Sequence, residues 1–210
     1  NKAMQIKFGE KIQEFSEAVS VLDAIKAFDR DVLKHTIAAK VNGEEVDLSR
    51  KLDESDEVLS VEPIVTTTRD GLEVIRHSTA HLLAAAILDL FPGTKLGVGP
   101  ALMDDPRYGF YYDVIAPQQL TEADLPVIEK KMREMAKRNL VYRREVIAKG
   151  ELVKLFEGRD EPLKCELIDE KADATATAYY IDGTPFVDFC LGPHVGHTGK
   201  LKAFKLLAIS

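Results

Sequence analysis

Alternating apolar and polar side chains open the chain. Met4–Phe8 carries apolar residues at every second position, which is typical of a half-buried strand. Glu14–Ala18 lies across the Gly9-Glu10-Lys11 turn and is predicted to pair with that strand. Ser20 is predicted to cap a helix, because apolar residues recur behind it at helical spacing.

The strongest hairpin signal is the Asn42-Gly43 pair, which favours a tight two-residue turn. It lies between two predicted strands, Thr36–Val41 and Glu44–Leu48, and a last strand is predicted at Glu57–Val61. Hairpin, helix and further strands are the element order of a small ubiquitin-like β-grasp unit. We place this unit at residues 1–65.

A second, larger α+β domain is predicted at residues 66–210, after a linker at Pro63–Thr68. Its first helix is predicted to begin at Asp70, with Glu73 three residues later as in a capping box, and to end at Phe91-Pro92-Gly93. The other predicted elements are a helix capped by Thr121, a shorter helix at Gly150–Glu157, and strands at Lys95–Val98, Gly109–Val114, Lys164–Ile168, Ala178–Ile181, Phe186–Phe189 and Phe204–Ile209.

The composition is that of an ordinary globular protein, with 45% hydrophobic and 30% charged residues. No apolar run approaches the roughly 20 residues that a membrane-spanning helix needs, so no membrane partner is expected. The two cysteines, Cys165 and Cys190, cannot form the disulfide framework of a small secreted domain, which favours a cytoplasmic setting. The chain begins with Asn1 and shows no secretory signal, so we expect a processed or partial polypeptide.

Charge is unevenly distributed along the chain, whose formal net charge is −7. Residues 129–149 hold 8 Lys and Arg against 3 Asp and Glu, whereas residues 1–65 hold 9 against 14. The basic segment is a candidate for contacting phosphate groups. A solvated helix face is an equally good interpretation of the same residues.

Two short spacings collect side chains that could carry chemistry. His77 and His81 are four residues apart on a predicted helix, so both imidazoles project from one face. Cys190 and His194 lie on a turn just after a predicted strand. Three imidazoles and one thiol are the ligand types of a zinc site, and we expect the four side chains to converge. A zinc protease needs a glutamate directly after the first histidine, and Ser78 at that position excludes this class.

Two interpretations of the four side chains stay open at this point: a purely structural zinc site, and a nucleophilic Cys190 with a histidine base. The segment Phe91–Pro100 is dense in glycine, which lets backbone approach a ligand closely. Gly109–Asp113 offers aromatic faces on which a nucleotide base could stack, although core packing is the default for at least one of its rings.

Several segments of the chain, in this order, resemble the editing region of bacterial threonyl-tRNA synthetases. They are Arg76-His77-Ser78-Thr79-Ala80-His81-Leu82-Leu83, Gly99-Pro100, Gly109-Phe110-Tyr111-Tyr112-Asp113, Val187-Asp188-Phe189-Cys190-Leu191-Gly192-Pro193-His194 and Phe204-Lys205-Leu206-Leu207. Order and spacing agree over residues 70–210, and residues 1–65 are similar to the TGS domain of this family. Editing modules of alanyl-tRNA synthetases share the paired His and Cys-x-x-x-His pattern and are the nearest competing assignment.

The resemblance implies a TGS domain at residues 1–65 and a tRNA-editing (second additional) domain with a mainly antiparallel sheet at residues 66–210. It also implies hydrolysis of mischarged Ser-tRNA(Thr). A pocket built for threonine cannot strongly reject serine, because one methyl group is worth only about 1–3 kcal/mol. The implied partners are tRNA(Thr) with its 3′ terminal adenosine, the seryl moiety as substrate and, for the longer family enzyme, a second copy in a homodimer.

Residue roles follow from the same resemblance. Catalytic roles are implied for five residues: His77, His81, Lys164, Cys190 and His194. Asp188 would bind the amino group of the substrate, and Tyr112 and Gly99 would border the amino acid and the terminal adenosine. Contacts to the tRNA backbone are expected from four residues of the basic segment: Lys130, Lys131, Arg138 and Arg143.

Two departures from the family pattern matter. Leu191 stands where the family commonly has Arg, so a charged contact beside the pocket is missing. The aminoacylation domain, with its sites for ATP and zinc, is absent from these 210 residues, so no ligase activity is expected of them alone. Zinc at the editing residues stays open, since alanyl-type relatives hold it with such ligands. A freestanding trans-editing deacylase and a non-catalytic zinc-stabilised RNA-binding module are the alternative functions.

Overall fold

A computed structural model describes residues 3–210, which cluster into two compact units. The N-terminal unit comprises the chain up to Ile75 together with Gly192–Gly196. The C-terminal unit comprises Arg76–Leu191 and His197–Ser210. Both units mix helices with mainly antiparallel sheets, so the α+β class predicted from the sequence is confirmed.

The N-terminal unit is built from seven strands, one complete helix, one turn of 3-10 helix and the first residues, 69–75, of a second helix. The complete elements are β1 Met4–Phe8, β2 Lys11–Phe15, β3 Val19–Ser20, α1 Val21–Phe28, the 3-10 turn Val32–His35, β4 Thr36–Val41, β5 Glu44–Val46, β6 Lys51–Leu52 and β7 Leu59–Val65. Five of the strands form a sheet in the order β2-β1-β7-β4-β5, in which only the β1–β7 pair is parallel. A β3–β6 ladder completes a β-grasp arrangement.

Local sequence explains these elements. Ser20 caps α1, since its hydroxyl accepts the Asp23 N–H at 3.0 Å. Asn42 and Gly43 both have positive φ and close the β4–β5 hairpin, as the two-residue turn requires. One face of the sheet packs on α1 around fully buried side chains, among them Ile6 and Ile25. The β-grasp prediction and both of these local signals are confirmed.

Two predicted boundaries in this unit are wrong. The partner of β1 is Lys11–Phe15 rather than Glu14–Ala18, because the chain reverses over Gly9-Glu10 and brings Phe8 opposite Lys11. The strand predicted at Glu57–Val61 is β7 and extends to Val65, so the start of the predicted linker lies inside the sheet. Pro63 is tolerated there, although a proline cannot donate to the strand ladder.

The C-terminal unit contains the remaining elements. They are α2 Arg69–Leu90 from Arg76 onward, β8 Lys95–Leu96, β9 Val114–Ile115, α3 Asp124–Lys137, β10 Tyr142–Ala148, α4 Lys149–Gly158, α5 Pro162–Lys171, β11 Thr175–Ile181, β12 Val187–Phe189 and the 3-10 turn Thr198–Lys200. The strands β10, β11 and β12 form an antiparallel sheet in that order, and β8 pairs with β9. Helices α4 and α5 cover one face of the larger sheet around Phe156 and Ile168.

Three predictions for this unit are wrong. The segment Lys164–Ile168 is helical, because Pro162 occupies the first turn of α5, where its missing N–H costs nothing. Phe204–Ile209 forms no strand in the described residues, and the Leu206 N–H instead donates to the Glu129 carboxylate at 2.9 Å. Gly109–Val114 is mostly irregular, with one bridge from Phe110 to Ala101 before β9 begins.

The start of α2 also differs from its prediction. Thr68, rather than Asp70, supplies the cap, since its hydroxyl oxygen accepts the Gly71 N–H at 3.1 Å. Asp70 lies in the first turn of the helix and forms an ion pair with Lys40 at 2.9 Å. A Cβ atom at Gly71 would overlap the Val65 carbonyl, so this position accepts only glycine. Within residues 3–210, no helix combines the length and the apolar character that crossing a membrane would require.

Gly71→Ala is expected to destabilise the chain by about 1–3 kcal/mol, because the added methyl group forces the end of β7 away from the start of α2. Chemical denaturation measures the change. Gly150→Ala is the matched control on α4, since a Cβ there meets no heavy atom within 4 Å among the described residues. The control should be neutral or gain about 0.5–1 kcal/mol, and equal effects of both substitutions would contradict the close-contact explanation.

Candidate functional site

Helix α2 presents His77 and His81 on one face, with ring centroids 4.7 Å apart in an edge-on arrangement. The helix is fixed at this point from the sheet side, because the Tyr142 hydroxyl donates to the Ser78 carbonyl at 2.6 Å. His81 is fully enclosed and packs against the ring of Phe186 at 4.8 Å. The predicted i,i+4 spacing therefore delivers two adjacent imidazoles into the interior of the C-terminal unit.

The second half of the cluster follows β12. The Cys190 N–H donates to the Thr177 carbonyl at 3.1 Å, and this places its sulfur 3.7 Å from Nε2 of His77. The backbone N–H of His194 donates to the buried Asp47 carboxylate at 2.8 Å. One ligand atom from each of His77, His81 and Cys190, all in the C-terminal unit, lies within 4.8 Å of the others. Three of the four residues predicted to converge thus lie together within the C-terminal unit, and His194 belongs to the N-terminal unit.

The residue types and spacing of this cluster fit a zinc ion. Tetrahedral zinc with bond lengths near 2.0–2.3 Å places its ligand atoms roughly 3.3–3.8 Å apart. The His77–Cys190 distance of 3.7 Å falls in that range, and the limit of 4.8 Å for the group requires only small side-chain shifts. If a metal binds, His77, His81 and Cys190 would supply three of its ligands.

Beside the cluster lies a buried charge network centred on Asp188. Its Oδ1 atom accepts from the Lys164 ammonium at 2.7 Å, and its Oδ2 atom accepts from the Tyr112 hydroxyl. The same ammonium donates to the Gly97 carbonyl at 2.8 Å. Lys164 and Asp188 are only 4% and 5% exposed, so the pair is shielded from water. Such a pair persists only with good geometry and further hydrogen bonds, and both conditions are met here.

Hydrogen-bond capacity remains for a ligand. An ammonium has three N–H donors and a carboxylate about four acceptor positions. Among the described residues, Lys164 uses two donors, and Asp188 accepts from three groups: Lys164, Tyr112 and the N–H of Phe189. One N–H of Lys164 and one acceptor position on Asp188 are left. The network therefore has hydrogen-bonding capacity for one more donor and one more acceptor.

Burial controls the protonation of the site. It lowers the pKa of His77, an effect partly opposed by the nearby Asp188 charge. It lowers the pKa of His81 well below its ordinary value, with His77 and Lys164 acting in the same direction. Burial and the neighbouring Asp188 raise the pKa of Tyr112 well above its usual range. At neutral pH the two imidazoles are therefore uncharged and Tyr112 keeps its proton as a hydrogen-bond donor.

Gly99 supports the network because it allows the Tyr112 ring to approach the backbone closely. A Cβ atom at this position would overlap the ring of Tyr112, so glycine lets the ring pack directly on backbone. This packing directs the Tyr112 hydroxyl to Asp188. Tyr111, the residue before Tyr112, is 41% exposed. Within this aromatic segment, Tyr112 is a buried ring that serves the site and Tyr111 is a ring at the surface.

The four basic residues predicted to contact tRNA lie in different environments. Lys130 and Arg138 are exposed on and just after α3. Lys131 forms an ion pair with Asp89 at 3.2 Å. Arg143 on β10 lies over the Tyr180 ring and forms ion pairs with Asp182 and Glu145. Lys130 and Arg138 are therefore exposed surface cations. Lys131 and Arg143 already form ion pairs with carboxylates.

Glu161 and the Gly97 carbonyl belong to the site environment and were missed by sequence reasoning. Glu161 is buried directly before α5, and its Oε1 atom accepts the Leu96 N–H at 2.6 Å. The signal for it is the Glu161-Pro162 start of the helix that leads to Lys164. The neighbouring Leu191, which departs from the family pattern, is 82% exposed.

Comparisons with known proteins give the same picture along the chain. Residues 6–60 match the TGS domain family, and residues 177–210 match the threonyl and alanyl tRNA synthetase second additional domain family. The chain is 39% identical over 209 residues to a threonine–tRNA ligase of Carboxydothermus hydrogenoformans, covering 99% of the chain and 32% of the relative. It is 40% identical over 209 residues to that of Rubrobacter xylanophilus, covering 100% and 30%. The chain thus spans about a third of the length of these relatives.

Tyr112→Phe is expected to lower the free energy of unfolding by about 1–3 kcal/mol, because the buried Asp188 oxygen loses a hydrogen-bond donor. Urea denaturation at neutral pH measures the change. Tyr111→Phe is the matched control, because Tyr111 directly precedes Tyr112 and is exposed. This substitution should leave the free energy of unfolding unchanged. Equal stability of the Tyr112→Phe variant and the unmodified chain would remove the hydroxyl from the network.

Proposed function

Because the chain is related along its whole length to the N-terminal region of threonyl-tRNA synthetases, with a TGS domain and an editing-type domain, we propose that it hydrolyses mischarged Ser-tRNA(Thr). The carrying observation is the buried Lys164–Asp188 pair next to the cluster of His77 and Cys190. This arrangement offers groups for an amino group, an ester carbonyl and a water molecule in one place.

Recognition of the amino acid depends on its charged amino group. The remaining acceptor position of Asp188 would accept from a cation, and the α-ammonium of an aminoacyl ester is such a group. Tyr112 and Lys164 hold the carboxylate, so binding requires little reorganisation. Tyr112 and Gly99 would then border the seryl side and the terminal adenosine of the tRNA. Threonine would be refused by the clash of its additional methyl group.

Water activation is assigned to a histidine. An imidazole kept neutral by burial can accept a proton from water as the water attacks the ester carbonyl. His77 is less deeply enclosed than His81 and is the better placed of the two. Its neighbour Cys190 would orient it through the contact at 3.7 Å, and His81 would form part of the wall around the water.

Charge developing on the ester oxygens would be stabilised by Lys164. Its remaining N–H can donate to the carbonyl oxygen or to the leaving ribose oxygen, in a site where low water content strengthens the interaction. A zinc ion held by His77, His81 and Cys190, if bound, would supply Lewis-acid chemistry at the same place.

Binding of tRNA is assigned to the basic surface around α3. Exposed Lys130 and Arg138 would contact phosphates directly. Lys131 and Arg143 would do so only after exchanging their present carboxylate partners, so their contributions should be smaller.

The decisive experiment compares Ser-tRNA(Thr) with Thr-tRNA(Thr), both labelled in the amino acid. The chain should release serine at least about tenfold faster than threonine, the discrimination that one methyl group of about 1–3 kcal/mol allows. Spontaneous ester hydrolysis without protein is the baseline. Equal release of the two amino acids, or release at the baseline rate, would contradict the proposal.

His77→Ala is expected to lower the deacylation rate by about 10²–10⁴-fold, the usual contribution of a general base, while the chain stays folded. Single-turnover hydrolysis of Ser-tRNA(Thr) measures the rate, and circular dichroism checks the fold. His35→Ala changes an exposed histidine and is the matched control.

The zinc content of the His77→Ala and His35→Ala variants is measured by elemental analysis. Tightly bound zinc that is lost in the His77→Ala variant together with the fold would favour the alternative of a non-catalytic, zinc-stabilised RNA-binding module. Full activity of the folded His77→Ala variant would remove this residue from the reaction.

A further inference from the structure

Glu161 is a buried carboxylate whose position the proposed reaction does not explain. It directly precedes α5 and is 5% exposed. Its backbone already serves the helix, since its carbonyl accepts the N–H groups of Lys164 and Cys165 at 3.1 and 3.2 Å. Its side chain is directed elsewhere, to the Leu96 N–H at 2.6 Å. The carboxylate therefore connects α5 to β8 instead of capping its own helix.

Three contacts in succession join the same two segments. Lys95 forms an ion pair with Asp160 at 2.8 Å, the Leu96 N–H donates to Glu161, and the Gly97 carbonyl accepts from Lys164 at 2.8 Å. The first contact is at the surface and the other two are buried. Glu161 thus fixes the backbone of Leu96. The next residue, Gly97, provides the carbonyl to which the Lys164 ammonium donates.

We propose that Glu161 is a positioning residue for ester hydrolysis, which keeps the Lys164 ammonium against Asp188 by fixing the Leu96–Gly97 backbone. The inference rests on the proposed function, since Lys164 acts there on the ester. Loss of the acceptor would free Leu96, move the Gly97 carbonyl and let the long lysine side chain leave its buried position. Burial of Glu161 raises its pKa, which reflects the cost of keeping an acidic group there.

Two substitutions separate the acceptor from the volume of the side chain. Glu161→Gln keeps an oxygen for the Leu96 N–H, and Glu161→Met keeps the length but removes the acceptor. Glu161→Met should lower kcat for Ser-tRNA(Thr) hydrolysis at least about tenfold with KM changed less than threefold, whereas Glu161→Gln should stay within threefold of the unmodified chain. Asp160→Asn removes the exposed neighbouring charge and should leave both constants unchanged.

A double-mutant cycle tests whether Glu161 acts through the lysine. If it does, Glu161→Met combined with Lys164→Met should be no slower than Lys164→Met alone. A further loss of threefold or more in the double variant would overturn the proposal, because Glu161 would then act by another route. Failure of Glu161→Gln to restore the rate would overturn it as well.

Chemical labelling gives a second measurement that does not depend on activity. Acetic anhydride should modify Lys164 at least about fivefold faster in folded Glu161→Met than in the unmodified chain, with exposed Lys171 as the internal reference. The Glu161→Gln and Asp160→Asn variants should match the unmodified chain. Glu161→Asp, which keeps the charge but withdraws the acceptor by one carbon, should show the same change at smaller size if Glu161→Met folds poorly.

The two measurements distinguish the possible failures. An unmodified chain that releases no serine, together with faster labelling of Lys164 in Glu161→Met, would contradict the proposed function and support the positioning role. Unchanged labelling of Lys164 in a folded Glu161→Met or Glu161→Asp variant would overturn the positioning role, whatever the activity.

Discussion

The ion pair between Lys164 and Asp188 organises the C-terminal unit around its site. It joins α5 to β12 at 2.7 Å, and both partners are almost completely shielded from water. A charge in such a place is unfavourable unless every partner is present. The Tyr112 hydroxyl and the Gly97 carbonyl supply those partners, which is why segments far apart in the sequence have to meet here.

The same constraint links stability to the chemistry that we assign. The groups around Lys164 and Asp188 are held in place by one another, so they do not need to rearrange when a ligand binds. Electrostatic stabilisation of a reaction depends on this kind of prior arrangement. The neutral imidazoles of His77 and His81 follow from the same burial, since enclosure favours the uncharged form.

Local signals in the sequence were sufficient for part of this structure. The Asn42-Gly43 turn, the cap at Ser20 and the i,i+4 pair of His77 and His81 each act within a few residues, and each is present in the structure. The sequence predicts a strand at Lys164–Ile168, but this segment is helical in the structure. Pro162 at the start of α5 was the stronger signal.

Long-range contacts explain what could not be predicted. The pairing of Lys164 with Asp188 depends on the packing of α5 beside β12, and the contact of Glu161 with Leu96 spans 65 residues of sequence. No local pattern encodes such contacts. The family resemblance implies functional roles for Lys164 and Asp188, but it does not indicate that they form an ion pair with each other.

The close approach of Gly99 to Tyr112 has a consequence for how this chain can change over evolutionary time. Any side chain at position 99 needs the space that the tyrosine ring occupies. A smaller residue at position 112 would leave the Asp188 oxygen without the hydrogen bond from the tyrosine hydroxyl. The two positions therefore cannot drift independently, and single substitutions at either one pass through a less stable intermediate. Among relatives that differ here, we expect both positions to have changed together, with a compensating donor for Asp188 supplied from another segment.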